Sequence, residues 1–151
     1  MDKLILRVLL VILVTVAAAA AGDGDEVRVA FRLASREPLP GWEEVTLADG
    51  DELWYLAPEV LLDQSLFAVA TALPGEGDTW IVDVSMTAAG RERLAEVTSA
   101  HVGERLGMVV DGRLVTAPVI RAPLTEGRAL LVGNFDAEEA RRIAAGVMAG
   151  R

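Results

Sequence analysis

The chain holds a single histidine, His101, with Ser99 two residues before it. Acyl transfer by such a pair needs a nucleophile, a base and an orienting group that converge in space. Residues two apart on one helix do not face each other, so His101 is expected to be a polar residue at a helix end. Metal binding would be sought in two acidic stretches, "GDGDE" at 22–26 and "ADGDE" at 48–52. Neither has the ligand spacing of a calcium loop or its distal bidentate glutamate, and both are expected to be solvated turns. Glu138 and Glu139 fall where a helix begins, and the macrodipole favours carboxylates there without any catalytic role. The glycines lack the strand-to-helix setting and following lysine of a phosphate loop. The absence of cysteine removes thiolate metal sites, disulfides and cysteine nucleophiles together. The expectation is therefore a protein without catalytic residues, metal or cofactor, whose work is recognition.

Recognition chemistry is most legible in "MVVDGRLVTAPVI", residues 108–120. Asp111-Gly112 between two apolar runs predicts a β-hairpin, because a two-residue type I′ turn needs positive φ at both central positions. That turn sets Val110 opposite Arg113, Val109 opposite Leu114, Met108 opposite Val115, Gly107 opposite Thr116 and Leu106 opposite Ala117. Pro118 cannot donate to a ladder, so a bulge or a sheet edge is expected there. Both faces of the hairpin are apolar. Val109 and Leu114 are therefore either covered by the N-terminal strands or open to hold extended polypeptide by strand addition. An acidic rim around such a surface would select against acidic clients.

The elements that must position this hairpin follow from periodicity. Residues 27–33, "VRVAFRL", alternate as a half-buried strand. Residues 45–60 predict a strand pair around the 48–52 turn. Residues 63–73 predict a short helix capped by Asp63, and "PGEGD" a turn. Residues 79–86 alternate again, with Trp80, Val82, Val84 and Met86 toward the core. Thr87 is the expected N-cap of a helix to about Ala100, with Leu94 and Val97 inward and Gly103 at its stop. Residues 128–133 are a strand. Asp136 caps a last helix and Glu139 completes a capping-box pattern, while Ala140, Ile143, Ala144 and Val147 form one apolar face. Strands rich in hairpins, with helices between, predict an α+β fold in which a mostly antiparallel sheet carries two main helices packed on one face.

With 151 residues the chain is long enough for one domain with a real core. It carries a formal charge of −9, and its first 21 residues are on balance positive, so the remainder is more acidic still. Such a surface repels phosphate backbones and argues against nucleic-acid partners. The N-terminus has Lys3 and Arg7, an apolar run from Val8 to Ala21, and small residues at Ala19 and Ala21. Residues 1–21 are expected to be a cleaved export signal or an uncleaved membrane anchor. Residues 22–26 follow as an acidic linker and residues 27–151 as the domain, outside the cytoplasm.

The stretch "ERLGMVVDGRLVTAPVIRAPLTEGRALLVGNFDAEEARRIAAGVMAG" resembles the head subdomain of the first periplasmic domain of SecD, a membrane component of bacterial protein export. That family shows "LAIVLDGxVxSAPVI", a glycine-containing turn, then "IxGxFxxxEAxxLAxxLxxG". Asp111, Gly112, Ala117, Pro118, Gly133, Phe135, Glu139 and Ala140 stand at motif positions, which are expected to be structural. "VDVSMTAAGRERLAEVTSAHVG" is similar to the family's preceding strand and "T-x-x-G" helix start, with Leu94 where phenylalanine is usual. A complete SecD has several membrane spans that carry its ion coupling, and this chain has at most one. The resemblance thus implies a free-standing or singly anchored head domain, periplasmic or otherwise extracytoplasmic. It implies a polypeptide partner in protein transport, with Val109 and Leu114 as candidate contacts. The alternative is a regulatory or structural module for one specific envelope protein.

Overall fold

The computed structural model describes residues 27–48 and 50–149. The expected export signal or anchor and the 22–26 linker lie outside them. Among the described residues no helix is long and apolar enough to cross a membrane.

The strands are β1 (Val29–Ser35), β2 (Glu43–Thr46), β3 (Leu53–Leu56), β4 (Leu62–Asp63), β5 (Phe67–Pro74), β6 (Trp80–Met86), β7 (Arg105–Val110), β8 (Arg113–Thr116) and β9 (Arg128–Phe135). The helices are α1 (Ala88–Ala100) and α2 (Ala137–Ala149). All strand pairs are antiparallel, and the fold is α+β as expected. The strands form two sheets where one was expected. The first runs β2-β3-β1-β7-β8, with β4 also on β1, and the second runs β5-β6-β9.

The first sheet curls until its two ends meet. Leu47 bridges Leu114, and the Ala48 amide donates to the Leu114 carbonyl at 2.8 Å. The result is a small half-barrel filled by Ala34, Trp54, Leu56, Val109, Leu114 and Ala117. The opposite face of this sheet presents Val29, Phe31, Leu106, Met108 and Val110 to the main core, which it shares with both helices and the inner face of the second sheet. Alternation along β7 thus feeds two cores at once, which is why the hairpin is apolar on both sides.

Asp111 (φ 51°) and Gly112 (φ 81°) make the turn as predicted, with Val110 opposite Arg113 and Val109 opposite Leu114. Beyond that the expected register is corrected. Met108 faces Thr116, and the ladder slips by one residue at Val115. The bulge therefore comes before Pro118, whose carbonyl still accepts from the Leu106 amide at 2.9 Å. An extra residue inverts every side chain after it. Val115, the extra residue, still lies in the main core, whereas Ala117 is turned over into the half-barrel. Gly112→Val forces a β-branched residue into positive φ and is expected to cost about 1–2 kcal/mol. A lower thermal midpoint for the variant checks this, and equal midpoints would contradict it.

The 63–73 helix is a second correction. Asp63 does cap, accepting from the Ser65 amide at 2.9 Å, but the helix is a single 3₁₀ turn, Gln64–Leu66. From Phe67 the chain is strand β5, held against β6 from Phe67–Met86 to Pro74–Trp80. Its β-branched Val69 and Thr71 suit a pleated surface. Gln64 serves β1, accepting from the Val29 amide at 2.7 Å and donating to the Val27 carbonyl at 2.9 Å.

Both long helices begin as predicted. Thr87 accepts from the Gly90 amide at 3.0 Å, and Asp136 from the Glu139 amide at 2.8 Å. The Glu139 carboxylate turns instead to Arg142, at 3.2 Å. Of the inward residues of β6, Val82, Val84 and Met86 are buried. Trp80 is half-buried, its ring beneath the Arg141 guanidinium at 4.9 Å.

Candidate functional site

Between β8 and β9 the chain crosses from one sheet to the other through residues 117–127, "APVIRAPLTEG". Two prolines remove amide donors from this segment, so other groups must hold it. Gly103 and Glu104 bracket Ile120: the Gly103 amide donates to the Ile120 carbonyl and the Ile120 amide to the Glu104 carbonyl, each at 2.8 Å. The Leu124 amide donates to the buried Thr98 hydroxyl at 2.8 Å. Arg91 Nε donates to the Thr125 carbonyl at 2.9 Å. Four polar ties along six residues fix the crossing segment without a regular element.

Under this segment lies a cavity of about 450 Å³. Phe31 and Leu94 reach it from the core, Leu106 and Met108 from β7, Pro118 to Ala122 and Leu124 from the segment, and Arg128 to Leu130 from the edge of β9. Its size and apolar lining fit an inserted side chain of a ligand. The charged residues among its lining are both arginines, Arg121 and Arg128, so the acidic rim expected around a binding surface is not found here. Arg128 is bound by Asp83 across the sheet, through Nε at 2.8 Å and through Nη2. That hydrogen bond holds the Asp83 carboxyl below its ordinary range, against the opposing effect of burial.

The cavity adjoins a second surface with exposed apolar side chains. Among the described residues, no helix lies on the outer face of the β5-β6-β9 sheet. Its rows are Leu73–Ile81–Val132, Thr71–Asp83–Leu130 and Val69–Ser85–Arg128. Val69 is 49% exposed, Leu130 46% and Val132 50%. Leu130 belongs both to this face and to the lining of the cavity, so the two adjoin there.

Val109 and Leu114 lie elsewhere. Both are buried in the half-barrel beneath Trp54 and Leu56, under the cover of the N-terminal strands. Val109 is paired on both sides, with Ala30 and Leu114. The outer carbonyl of Leu114 is taken by the Ala48 amide. As folded, neither offers a side chain or a free strand edge to a client.

The motif positions make the following contacts. Asp111 accepts from the Arg28 amide at 2.9 Å and pairs with Arg142 at 3.4 Å, so the turn is tied to both ends of the domain. Gly133 leaves room for the Phe135 ring, which would stand 2.9 Å from an added Cβ. Ala140 is fully buried under the same core. Pro118 alone among these positions touches the cavity. His101 pairs with Glu104, Nδ1 to Oε2 at 2.6 Å. The cavity itself escaped sequence reasoning, although one signal was present: Leu130 and Val132 put apolar side chains on the face of β9 opposite Leu131.

Comparison with known proteins places this geometry among relatives. A family model, SecDF P1 head subdomain, matches residues 43–151. The protein translocase subunit SecD of Acetobacter pasteurianus is 30% identical over 136 residues, covering 84% of this chain and 26% of that protein. The protein translocase subunit SecDF of Thermus thermophilus is 44% identical over 63 residues, 42% of this chain and 9% of that protein. The chain thus spans about a quarter or less of the length of these relatives. A solved structure of SecDF, described as a membrane component that enhances protein export, superposes with a TM-score of 0.65 at 27% identity. That match covers 81% of this chain and 62% of the other. SecDF in a super-membrane-facing form gives 0.64, also at 27% identity, over 82% of this chain and 18% of the other.

Proposed function

This chain belongs to the SecDF P1 head subdomain family, and from that premise we propose that it is a non-enzymatic binding module of protein export. It holds unfolded or extended polypeptide by seating an apolar side chain in the cavity under residues 117–127. The flanking residues of the client lie along the outer face of the β5-β6-β9 sheet. The observation that carries the reading is a pinned apolar cavity that shares Leu130 with the exposed apolar residues Val69 and Val132 of the outer sheet face. A cavity whose walls are held before binding loses little freedom when it is filled. Exposed apolar area of this kind on a small domain marks an interaction surface. Val109 and Leu114 support the hairpin from behind and do not touch the client. Its place outside the cytoplasm is supported by the apolar run of residues 8–21 after Lys3 and Arg7.

An unfolded peptide titrated into the labelled domain is expected to shift the amides of Leu124, Leu130 and Val132, with Val109 and Leu114 unmoved. Saturating peptide that leaves the first three amides in place would overturn the reading.

A further inference from the structure

Resting on that reading, we infer that the cavity prefers an apolar anchor residue whose neighbour in the client is acidic. The domain is strongly acidic overall, yet the charged residues lining the cavity are Arg121 and Arg128. They are not equivalent. Arg128 is engaged by Asp83 and lies in the field of Glu126, so its charge is already met. Arg121 has no ion-pair partner among the described residues. It stands between Ile120 and Ala122 at the rim of an apolar cavity, on a segment fixed by the Ile120 and Leu124 backbone bonds.

A guanidinium held at the edge of an apolar site offers a planar fork to a carboxylate. A client acid beside the anchor would bring that carboxylate to Arg121, while the anchor displaces water around it. A basic residue at the same place would meet uncompensated positive charge. The surrounding negative charge acts on all clients at longer range and is screened over about 8 Å at physiological ionic strength. Selection at the cavity is therefore opposite in sign to that of the protein as a whole. It is set by one side chain.

The experiment uses three labelled peptides that share a leucine anchor and differ only in the next residue: glutamate, glutamine or lysine. Fluorescence anisotropy with the unmodified chain is expected to rank them Glu, Gln, Lys, with about a fivefold span, the upper range for an exposed pair. Arg121→Glu is expected to invert the order, so that the lysine peptide binds tightest and the glutamate peptide weakest. Because Arg121 is exposed, the variant keeps the parent's thermal midpoint. Equal affinities, or the same ranking in Arg121→Glu, would overturn the inference. In that case Leu130 amide shifts with all three peptides would leave the polypeptide reading standing, and no shifts with any of them would remove both.

Discussion

Gly90→Ala is expected to destabilise the domain by about 3 kcal/mol. In an open helix this exchange stabilises by about 1 kcal/mol, because alanine loses less backbone freedom. Here the sign reverses for a steric reason. An added Cβ would stand 2.4 Å from the Leu66 carbonyl oxygen, 3.0 Å from Leu66 Cβ and 3.1 Å from Met86 Cβ. The carbonyl cannot easily retreat, since it accepts from the Thr87 amide at 2.8 Å. Thr87 in turn caps α1 by accepting from the Gly90 amide. Thr87 and Gly90 thus form one device, in which the hydroxyl starts the helix and the missing side chain lets that start press against the 3₁₀ turn before β5. Urea denaturation followed by circular dichroism checks this. A midpoint equal to or above the parent's would show that α1 does not approach Leu66 so closely.

Phe31→Ala is expected to cost about 4 kcal/mol, within the range for truncating a fully buried aromatic residue. Phe31 is completely inaccessible. Its ring lies 5.9 Å from that of Phe67, tilted by 45°. It joins the first sheet to the start of β5 and forms part of the cavity floor. The substitution leaves a void connected to that cavity. Phe31→Leu keeps most of the packing and is expected to lose less than half as much. Denaturation midpoints for the two variants and the parent form the test, and a loss below 1 kcal/mol for alanine would mean that the core closes around the gap.

Features decided within a few residues were legible in the sequence. Asp111-Gly112, Thr87 and Asp136 each act through their own backbone or the next three positions, and each does what its type predicts. Features decided by distant partners were not. Asp63 signals a helix and does start a turn, but pairing with β6 claims the chain from Phe67 onward. The slip at Val115 depends on two separate cores, one taking Val115 and the other Ala117. A single hairpin sequence does not display that division. The apolar character of Val109 and Leu114 was plain, but the cover over them comes from Trp54 and Leu56, more than fifty residues upstream. The cavity is the least local feature: it exists because Thr98, Arg91 and Glu104 suspend a proline-containing crossing above the gap between two sheets.

The position of β1 also governs the order of assembly. It lies inside the first sheet, between β3 and β7, and the Arg28–Asp111 bond at its start joins residues 83 apart. A chain emerging N-terminus first, from a ribosome or a pore, can pair one side of this greasy strand with β3 and β4 early, but must leave its other side open until β7 has followed it out. Closing so long a loop is slow. The newly made protein therefore passes through an interval in which one edge of an apolar strand waits for a partner far along the chain.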